Sequence, residues 1–188
     1  MTDSTPSPSP RDGSADSAGD LAGDVDSSSA GLPEVEGSHR ILITGAAGML
    51  GSQVLMAVPD GVEVIGTDMR EAHGVDHVGV DLTDADQVAA LFKAAAPLHG
   101  VIHTAAYTAV DKAEEEADLA HAVNGDACGV LAREAAKAGV PVVIVSTDFV
   151  FNGEGSEPYQ PEDEPAPMSV YGRSKLAGER QALEAHPT

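Results

Sequence analysis

The chain is poor in cysteine and in aromatic residues. It has one cysteine, Cys128, no tryptophan, three tyrosines and three phenylalanines among 188 residues. A single cysteine excludes an internal disulfide and the multi-cysteine zinc sites, so we expect Cys128 to be a small buried residue on a helix. The core must therefore be built from aliphatic side chains. The seven histidines are scattered along the chain, and no metal site is expected.

Basic residues are also scarce. Ten lysines and arginines stand against 31 aspartates and glutamates, which gives a formal net charge of -21. Such a surface repels nucleic acid and anionic membranes, so we expect neither as a partner. The N-terminus lacks a basic patch followed by an apolar run, and no apolar stretch has the length of a membrane helix. These absences predict a cytoplasmic protein.

The composition changes at His39. Residues 1–38 are mostly Ser, Asp, Gly, Pro and Ala, and too few of them are aliphatic to offset the entropy of ordering, so we predict a disordered acidic tail. From His39 onward, apolar runs alternate with helical patterns. This alternation predicts an α/β Rossmann-type fold, a doubly wound parallel sheet covered by helices. The predicted strands are RILIT, VEVIGTD, HVGVDLTD, GVIHTAA and VPVVIVST.

Three features predict helix boundaries. Thr83, followed three residues later by Asp86, predicts a capping box for the second helix. A helical stretch over residues 112–138 is expected to stop at Gly139. The last helix is expected to begin near Val170.

Bound ligands in such folds lie at the carboxyl ends of the strands, and a glycine-rich turn follows the first strand. Gly45 permits a sharp turn, Gly48 lets backbone amides approach a diphosphate, and Gly51 lets the helix pack tightly on the strand. Met49 and Leu50 lie between them and are expected beside the cofactor. Glycine triplets also occur in ordinary turns, but a strand before and a helix after are what dinucleotide binding requires.

The next two strands also end in polar residues. Asp68 suits the ribose hydroxyls of NAD, whereas Arg70 suits the 2′-phosphate of NADP, so the sequence leaves both cofactors open. Asp68 is equally well explained as a turn residue. Asp81 and Leu82 are predicted to border the adenine, although an aspartate before a helix is also a good cap.

The fourth strand is followed by small residues and a tyrosine. Ala105 and Ala106 would let a cofactor ribose lie close to the backbone. Tyr107 is expected near the mouth of the site.

Three side chains near the end of the chain suggest proton transfer. Thr147 follows the fifth strand, and Tyr171 and Lys175 share one face of the last helix. A phenol is a weak acid at neutral pH, and a nearby ammonium stabilises its phenolate. A tyrosine and a lysine at this spacing are common by chance. Together with Thr147 and the glycine turn, they predict a proton relay beside a hydride donor.

Three longer stretches resemble one enzyme family. AAYTAVDKAEEE, STDFVFNGEG and VYGRSKLAGE resemble the extended short-chain dehydrogenases/reductases and, within them, the dTDP-4-dehydrorhamnose reductase family. The resemblance implies that NADPH or NADH reduces the 4-keto group of a nucleotide-linked deoxysugar, the expected partner. It also implies that Tyr171 donates the proton, Lys175 tunes it and binds the nicotinamide ribose, and Thr147 orients the 4-keto oxygen. The three glycines would hold the diphosphate.

Two features depart from that family. Phe149 stands where the family usually has tyrosine, and the chain stops at Thr188, before the region that binds the sugar nucleotide. We therefore expect residues 39–188 to form an incomplete NAD(P)-binding domain with an open sheet edge. The alternatives are an inactive fragment or a non-catalytic NAD(P)-binding subunit, such as the related regulatory subunit of methionine adenosyltransferase. A homodimer is one alternative for the oligomeric state.

Overall fold

The computed structural model describes residues 39–155 and 157–187, which contain a five-stranded parallel sheet. In chain order the strands are β1 His39–Thr44, β2 Val62–Asp68, β3 His77–Val78, β4 Gly100–His103 and β5 Val142–Ile144. Their order in the sheet is β3-β2-β1-β4-β5. The tail predicted for residues 1–38 lies outside the described residues.

Helices connect the strands. They are α1 Met49–Ala57, α2 Ala85–Ala95, α3 Ala117–His121, α4 Ala127–Ala138 and α5 Val170–Ala185. None of the helices in the described part of the chain is long and apolar enough to cross a membrane.

The direction in which strands are added reverses at β1. From β1 the chain adds β2 and β3 on one side, and it then crosses back to add β4 and β5 on the other. Right-handed crossovers therefore place α1 on one face of the sheet and α2 and α4 on the opposite face. The crevice between the carboxyl ends of β1 and β4 is where such sheets bind ligands. The predicted Rossmann-type fold is confirmed.

The main core lies between the sheet and helices α2 and α4. Leu42 of β1 and Val101 of β4 pack there with Leu131 of α4. The core cluster is aliphatic except for Phe92, as the scarcity of aromatic residues predicts. Cys128 is buried on α4, which confirms the interpretation of the single cysteine.

The predicted capping box at Thr83 is wrong by one residue. Asp84 is the N-cap of α2, and its carboxylate accepts hydrogen bonds from the N–H groups of Asp86 and Gln87. The Gln87 amide also donates to the Asp84 carboxylate at 2.9 Å. The Thr83 hydroxyl donates to Asp81 instead. The capping pattern is satisfied better at Asp84 because a longer amide side chain stands three residues after it.

The helix predicted over residues 112–138 is present but interrupted. A 3-10 turn at Lys112–Glu114 precedes α3, and a π-helical turn at Ala122–Asp126 joins α3 to α4. Gly139 ends α4 with φ at +69°, which is the left-handed conformation expected of a C-terminal glycine. π-turns often lie at functional sites.

Glycines let α5 approach its neighbours closely. A Cβ built at Gly178 would lie 2.1 Å from the carbonyl oxygen of Asn124 and 3.1 Å from the sulfur of Cys128. A Cβ at Gly172 would lie 2.2 Å from the carbonyl oxygen of Phe149. The position of α5 therefore requires glycine at both contacts, because any larger residue would overlap a backbone oxygen.

We predict that Gly178→Ala destabilises the domain even though alanine favours a helix. Helix propensity alone would stabilise α5 by about 1 kcal/mol. The added methyl, however, would overlap a backbone oxygen, and overpacking costs about 1–3 kcal/mol or more. Thermal unfolding followed by circular dichroism should therefore give a lower Tm than the wild-type protein.

Gly125→Ala is the matched control for this substitution. A Cβ at Gly125 would meet nothing nearer than the Ala177 methyl at 3.4 Å, which is ordinary contact, so its Tm should stay close to wild type. A Gly178→Ala protein as stable as the control would show that α5 does not need the close contact.

Candidate active site

Glycine contacts close the turn after β1. Gly45 has φ at +73°, and a Cβ there would lie 2.5 Å from the backbone nitrogen of Ala105. A Cβ at Gly51 would lie 2.1 Å from the carbonyl oxygen of Gly45. Both positions therefore require glycine. The turn is held between the segment after β4 and the first turn of α1.

The N-terminus of α1 has the form of an anion cradle. Gly48 is its N-cap and provides no side-chain hydrogen bond, so the first backbone N–H groups lack a partner within the helix. The helix dipole favours negative charge at this end. Met49 and Leu50 are 89% and 44% exposed, which leaves the approach open. This geometry fits the diphosphate of a dinucleotide.

Asp68, the last residue of β2, braces the glycine turn. Its two carboxylate oxygens accept hydrogen bonds from the backbone N–H groups of Ala47 and Arg70, each at 3.0 Å. The Arg70 guanidinium donates to the carbonyl oxygen of Ala47 at 2.9 Å and lies 3.6 Å from the carboxylate. The Arg70 side chain is 70% exposed, against 11% for Asp68. The charge that a ligand meets at this corner is therefore mainly the guanidinium.

The residues predicted beside the adenine have roles in the fold itself. The Asp81 carboxylate accepts hydrogen bonds from the backbone N–H and the hydroxyl of Thr83. Leu82 packs against the main core. Their contact with an adenine stays a prediction.

Tyr107 is tied to the loop that follows it. Its hydroxyl donates to the Glu116 carboxylate at 2.7 Å, and the Lys112 ammonium lies 2.6 Å from the other oxygen of that carboxylate. The hydrogen bond to Glu116 raises the pKa of Tyr107, because the negative carboxylate disfavours the phenolate. The neighbouring Ala105 and Ala106 leave only small side chains beside the glycine turn.

Asn124, in the π-turn, is a site residue that the sequence analysis missed. It is buried, and its amide oxygen accepts from the Tyr107 N–H at 2.8 Å. Its amide nitrogen donates at 3.0 Å to both the Tyr107 carbonyl oxygen and the Ser174 hydroxyl. Ser174 donates in turn to the carbonyl oxygen of Tyr171. The available signal was an asparagine inside a predicted helix, where its propensity is poor.

Thr147 and Tyr171 both contact Phe149. The Thr147 hydroxyl oxygen accepts from the Phe149 N–H at 3.2 Å and caps the 3-10 turn Asp148–Val150. The ring of Phe149 packs edge-on against that of Tyr171, with centroids 5.6 Å apart. The structure thus places Thr147 and Tyr171 in one neighbourhood beyond the carboxyl end of β5. Their catalytic roles stay predictions.

Lys175 lies one turn after Tyr171 on α5 and is nearly fully buried. Its ammonium donates to the carbonyl oxygen of Val145 at 2.6 Å, just beyond β5. Burial lowers the pKa of Lys175, because desolvation disfavours the charged form. An ammonium has three N–H donors, so the bond to Val145 leaves donors for a ligand.

All these groups lie along the carboxyl edge of the sheet. The anion cradle follows β1, and the Thr147 hydroxyl follows β5. The Lys175 ammonium bonds to Val145 just beyond β5, and the Tyr171 ring packs on Phe149. Such a set can hold a dinucleotide by its diphosphate and deliver a proton to a ligand oxygen. The arrangement therefore suits proton-coupled redox chemistry.

Residues 39–188 match the protein family described as the RmlD substrate binding domain. The chain is 41% identical over 157 residues to a dTDP-4-dehydrorhamnose reductase of Mycobacterium tuberculosis, covering 80% of this chain and 47% of that protein. It is 37% identical over 148 residues to the methionine adenosyltransferase 2 subunit beta of Pongo abelii, covering 78% and 43%. The chain spans about half the length of these curated relatives.

Solved structures show the same similarity. A dTDP-4-dehydrorhamnose reductase from Clostridium acetobutylicum superposes with a TM-score of 0.72 at 40% identity, covering 79% of this chain and 50% of that one. The Bacillus anthracis reductase in complex with NADP gives a TM-score of 0.73 at 36% identity, covering 80% and 51%. MoeE5 in complex with UDP-glucose and NAD gives 0.68 at 30% identity, covering 78% and 48%.

We predict that Glu116→Gln lowers the pKa of Tyr107 towards the ordinary value of a phenol. The substitution removes the carboxylate whose hydrogen bond with the Tyr107 hydroxyl is the largest cause of the raised pKa, and with it a negative charge that disfavours the phenolate. The chain has only three tyrosines, so an ultraviolet titration resolves the change, and Tyr107→Phe assigns it. Glu134→Gln, which removes a carboxylate paired with Lys137 instead, is the control. An identical titration of the Glu116→Gln and Glu134→Gln proteins would contradict the Tyr107–Glu116 contact.

Proposed function

The chain belongs to the RmlD substrate binding domain family, and on this premise we propose that it catalyses NAD(P)H-dependent reduction of the 4-keto group of a dTDP-4-keto-6-deoxy sugar, the reductase step of dTDP-L-rhamnose biosynthesis. The observation that carries the proposal is the match over residues 39–188, which includes Thr147, Tyr171 and Lys175. A relative that bears the reductase name is 41% identical over this region. In this proposal residues 39–188 form the cofactor-binding domain.

The residues present fit a nicotinamide dinucleotide. Its diphosphate would take the uncapped N-terminus of α1 at Gly48. Its nicotinamide ribose would take a free donor of Lys175, beside the small Ala105 and Ala106. When bound, the reduced cofactor supplies a hydride.

Reduction of a carbonyl also needs a proton. The carbonyl carbon gains the hydride with its electron pair, and the carbonyl oxygen gains the proton as the C=O double bond becomes single. In our proposal Tyr171 donates that proton, Thr147 holds the oxygen, and the Lys175 ammonium stabilises the phenolate that remains. Tyr171 is half-buried, so solvent can return its proton.

The corner beside Asp68 favours a cofactor that carries a 2′-phosphate. Both carboxylate oxygens of Asp68 already accept backbone hydrogen bonds, and the exposed group there is the Arg70 guanidinium. A guanidinium binds phosphate strongly, and a lone carboxylate would repel it. We therefore propose that NADPH is preferred over NADH.

A second candidate is NAD(P) binding without turnover. The 37% identity to a protein named methionine adenosyltransferase 2 subunit beta favours it. The two candidates differ in one observable property, since both bind the cofactor and only the reductase oxidises it with a keto sugar.

We expect this chain to oxidise NADPH in the presence of a dTDP-4-keto-6-deoxy sugar, measured as loss of absorbance of the reduced nicotinamide. Tyr171→Phe should lower kcat by about 100-fold or more, because general acid catalysis contributes about 10²–10⁴-fold. Binding of NADPH, measured by its fluorescence, should change little in the variant.

Tyr159→Phe is the control, since it removes a phenol whose hydrogen bonds lie with Gly153 and Asn152. Equal activity of the two variants would overturn the role of Tyr171. NADPH binding without turnover by the wild-type chain would favour the second candidate.

We expect Arg70→Gln to weaken NADPH binding by about ten- to a hundred-fold, since a hydrogen bond to a charged group contributes about 1.5–3 kcal/mol. NADH lacks the 2′-phosphate, so its Kd should change far less. Arg180→Gln removes an exposed guanidinium from α5 and is the matched control. Equal weakening of both cofactors in Arg70→Gln would show that Arg70 only supports the glycine turn.

A further inference from the structure

A cluster of buried polar side chains lies where β1 and β4 meet α4 and α5. The cluster consists of Thr44, His103, Asn124, Cys128, Ser174 and Lys175, each at most 5% exposed. Asn124 and Ser174 bond to each other, and the Cys128 thiol donates to the carbonyl oxygen of Asn124. Buried polar groups are costly unless they are paired. A member of this cluster that lacks a hydrogen-bond partner is therefore a candidate for a functional role.

His103 has one ring nitrogen without a partner. Its Nδ1 lies 2.6 Å from the hydroxyl oxygen of Thr44, the register neighbour of His103 on β1. Its Nε2 is buried and has no hydrogen bond within residues 39–155 and 157–187. An unsatisfied buried nitrogen destabilises the folded chain, because it has lost its hydrogen bond to water. Such a cost is tolerated where the nitrogen has a function.

Lys175, in turn, has N–H donors that lack acceptors among the described residues. Its ammonium donates to the carbonyl oxygen of Val145 and makes no second hydrogen bond within the described part of the chain. The N–H of Val145 donates to the carbonyl oxygen of His103 at 3.2 Å. The two side chains are thus linked through one residue, and each has hydrogen-bonding capacity left over.

The charges around this pair are unequal. Burial, together with the positive charge of Lys175, lowers the pKa of His103 to about 4, so the imidazole is neutral near pH 7. Burial raises the pKa of the Cys128 thiol, which therefore stays uncharged. The one carboxylate acting on Lys175, that of Glu179, favours the ammonium. A cation beside a neutral imidazole favours the tautomer whose lone pair is available to it.

We propose that His103 is a positioning residue for Lys175: Nδ1–H donates to Thr44, and the unprotonated Nε2 accepts from the ammonium through one buried water. The acceptor holds the cation at the end of β5 without adding a negative charge. Lys175 therefore keeps donors free for a ligand. What Lys175 does in turnover rests on the proposed function, whereas this contact does not.

The tautomer can be read on the unaltered protein. Histidine is labelled with ¹⁵N, and long-range proton–nitrogen correlation spectra identify which ring nitrogen carries hydrogen. His103→Gln assigns the signal among the seven histidines. We expect His103 to stay neutral, with hydrogen on Nδ1, between about pH 5 and 8, where an ordinary histidine titrates. Hydrogen on Nε2 would overturn the proposal.

The link to Lys175 is tested by removing its charge. Lys175→Met should raise the pKa of His103, although the value should stay below that of a free histidine because burial, the larger cause, remains. Lys112→Met removes a lysine that is paired with Glu116 and should leave the pKa of His103 unchanged. Equal values of that pKa in the wild type and Lys175→Met would overturn the proposal.

A kinetic comparison separates positioning from packing. His103→Gln keeps an amide oxygen that can accept from the ammonium, whereas His103→Leu does not. If the chain turns over, the Gln variant should retain most of kcat and the Leu variant should lose about ten-fold or more, as for one charge-assisted hydrogen bond. Equal losses in both would count against an acceptor role. The expected spectra from a chain without turnover would support this contact while refuting the proposed reductase.

Discussion

The amide of Asn124 makes the contact on which the geometry of the site depends. It binds both backbone groups of Tyr107, in the segment after β4, and the Ser174 hydroxyl on α5. The backbone carbonyl oxygen of Asn124 lies so close to Gly178 that no Cβ fits between them. Helix α5, which carries Tyr171, is therefore positioned by the Asn124 side chain and by the close approach that Gly178 allows. This precision explains why a polar residue is kept in the interior of an alanine-rich helix.

The charged groups of the candidate site are opposite in sign to the net charge of the chain. The net charge is -21, yet the two ends of the crevice present cationic groups, the guanidinium of Arg70 and the buried ammonium of Lys175. The N-terminus of α1 adds the positive end of a helix dipole. An anionic dinucleotide is thus attracted to the crevice, although the rest of the surface repels it. Burial of Lys175 strengthens its local effect, because little water screens it.

Local patterns predicted most of the fold. Most strands lie in short apolar runs, and the carboxyl ends of parallel strands meet at one edge of the sheet. Gly45, Asp68 and Thr147 could therefore be assigned to that edge. The shared helical face of Tyr171 and Lys175 could be predicted from helical periodicity alone. The shift of the helix cap to Asp84 was not predicted, since two overlapping cap patterns differ only in the hydrogen bonds they form.

Residue type and spacing along the chain are enough to predict the Rossmann-type sheet, the glycine turn and the shared helical face of Tyr171 and Lys175. The contacts between buried groups, in contrast, form only when the helices pack on the sheet. Asn124 joins Tyr107 to α5, and Val145 bonds to both His103 and Lys175. These contacts join residues separated by 17 to 50 positions. Packing of helices on the sheet sets such pairings, and no local pattern carries that information.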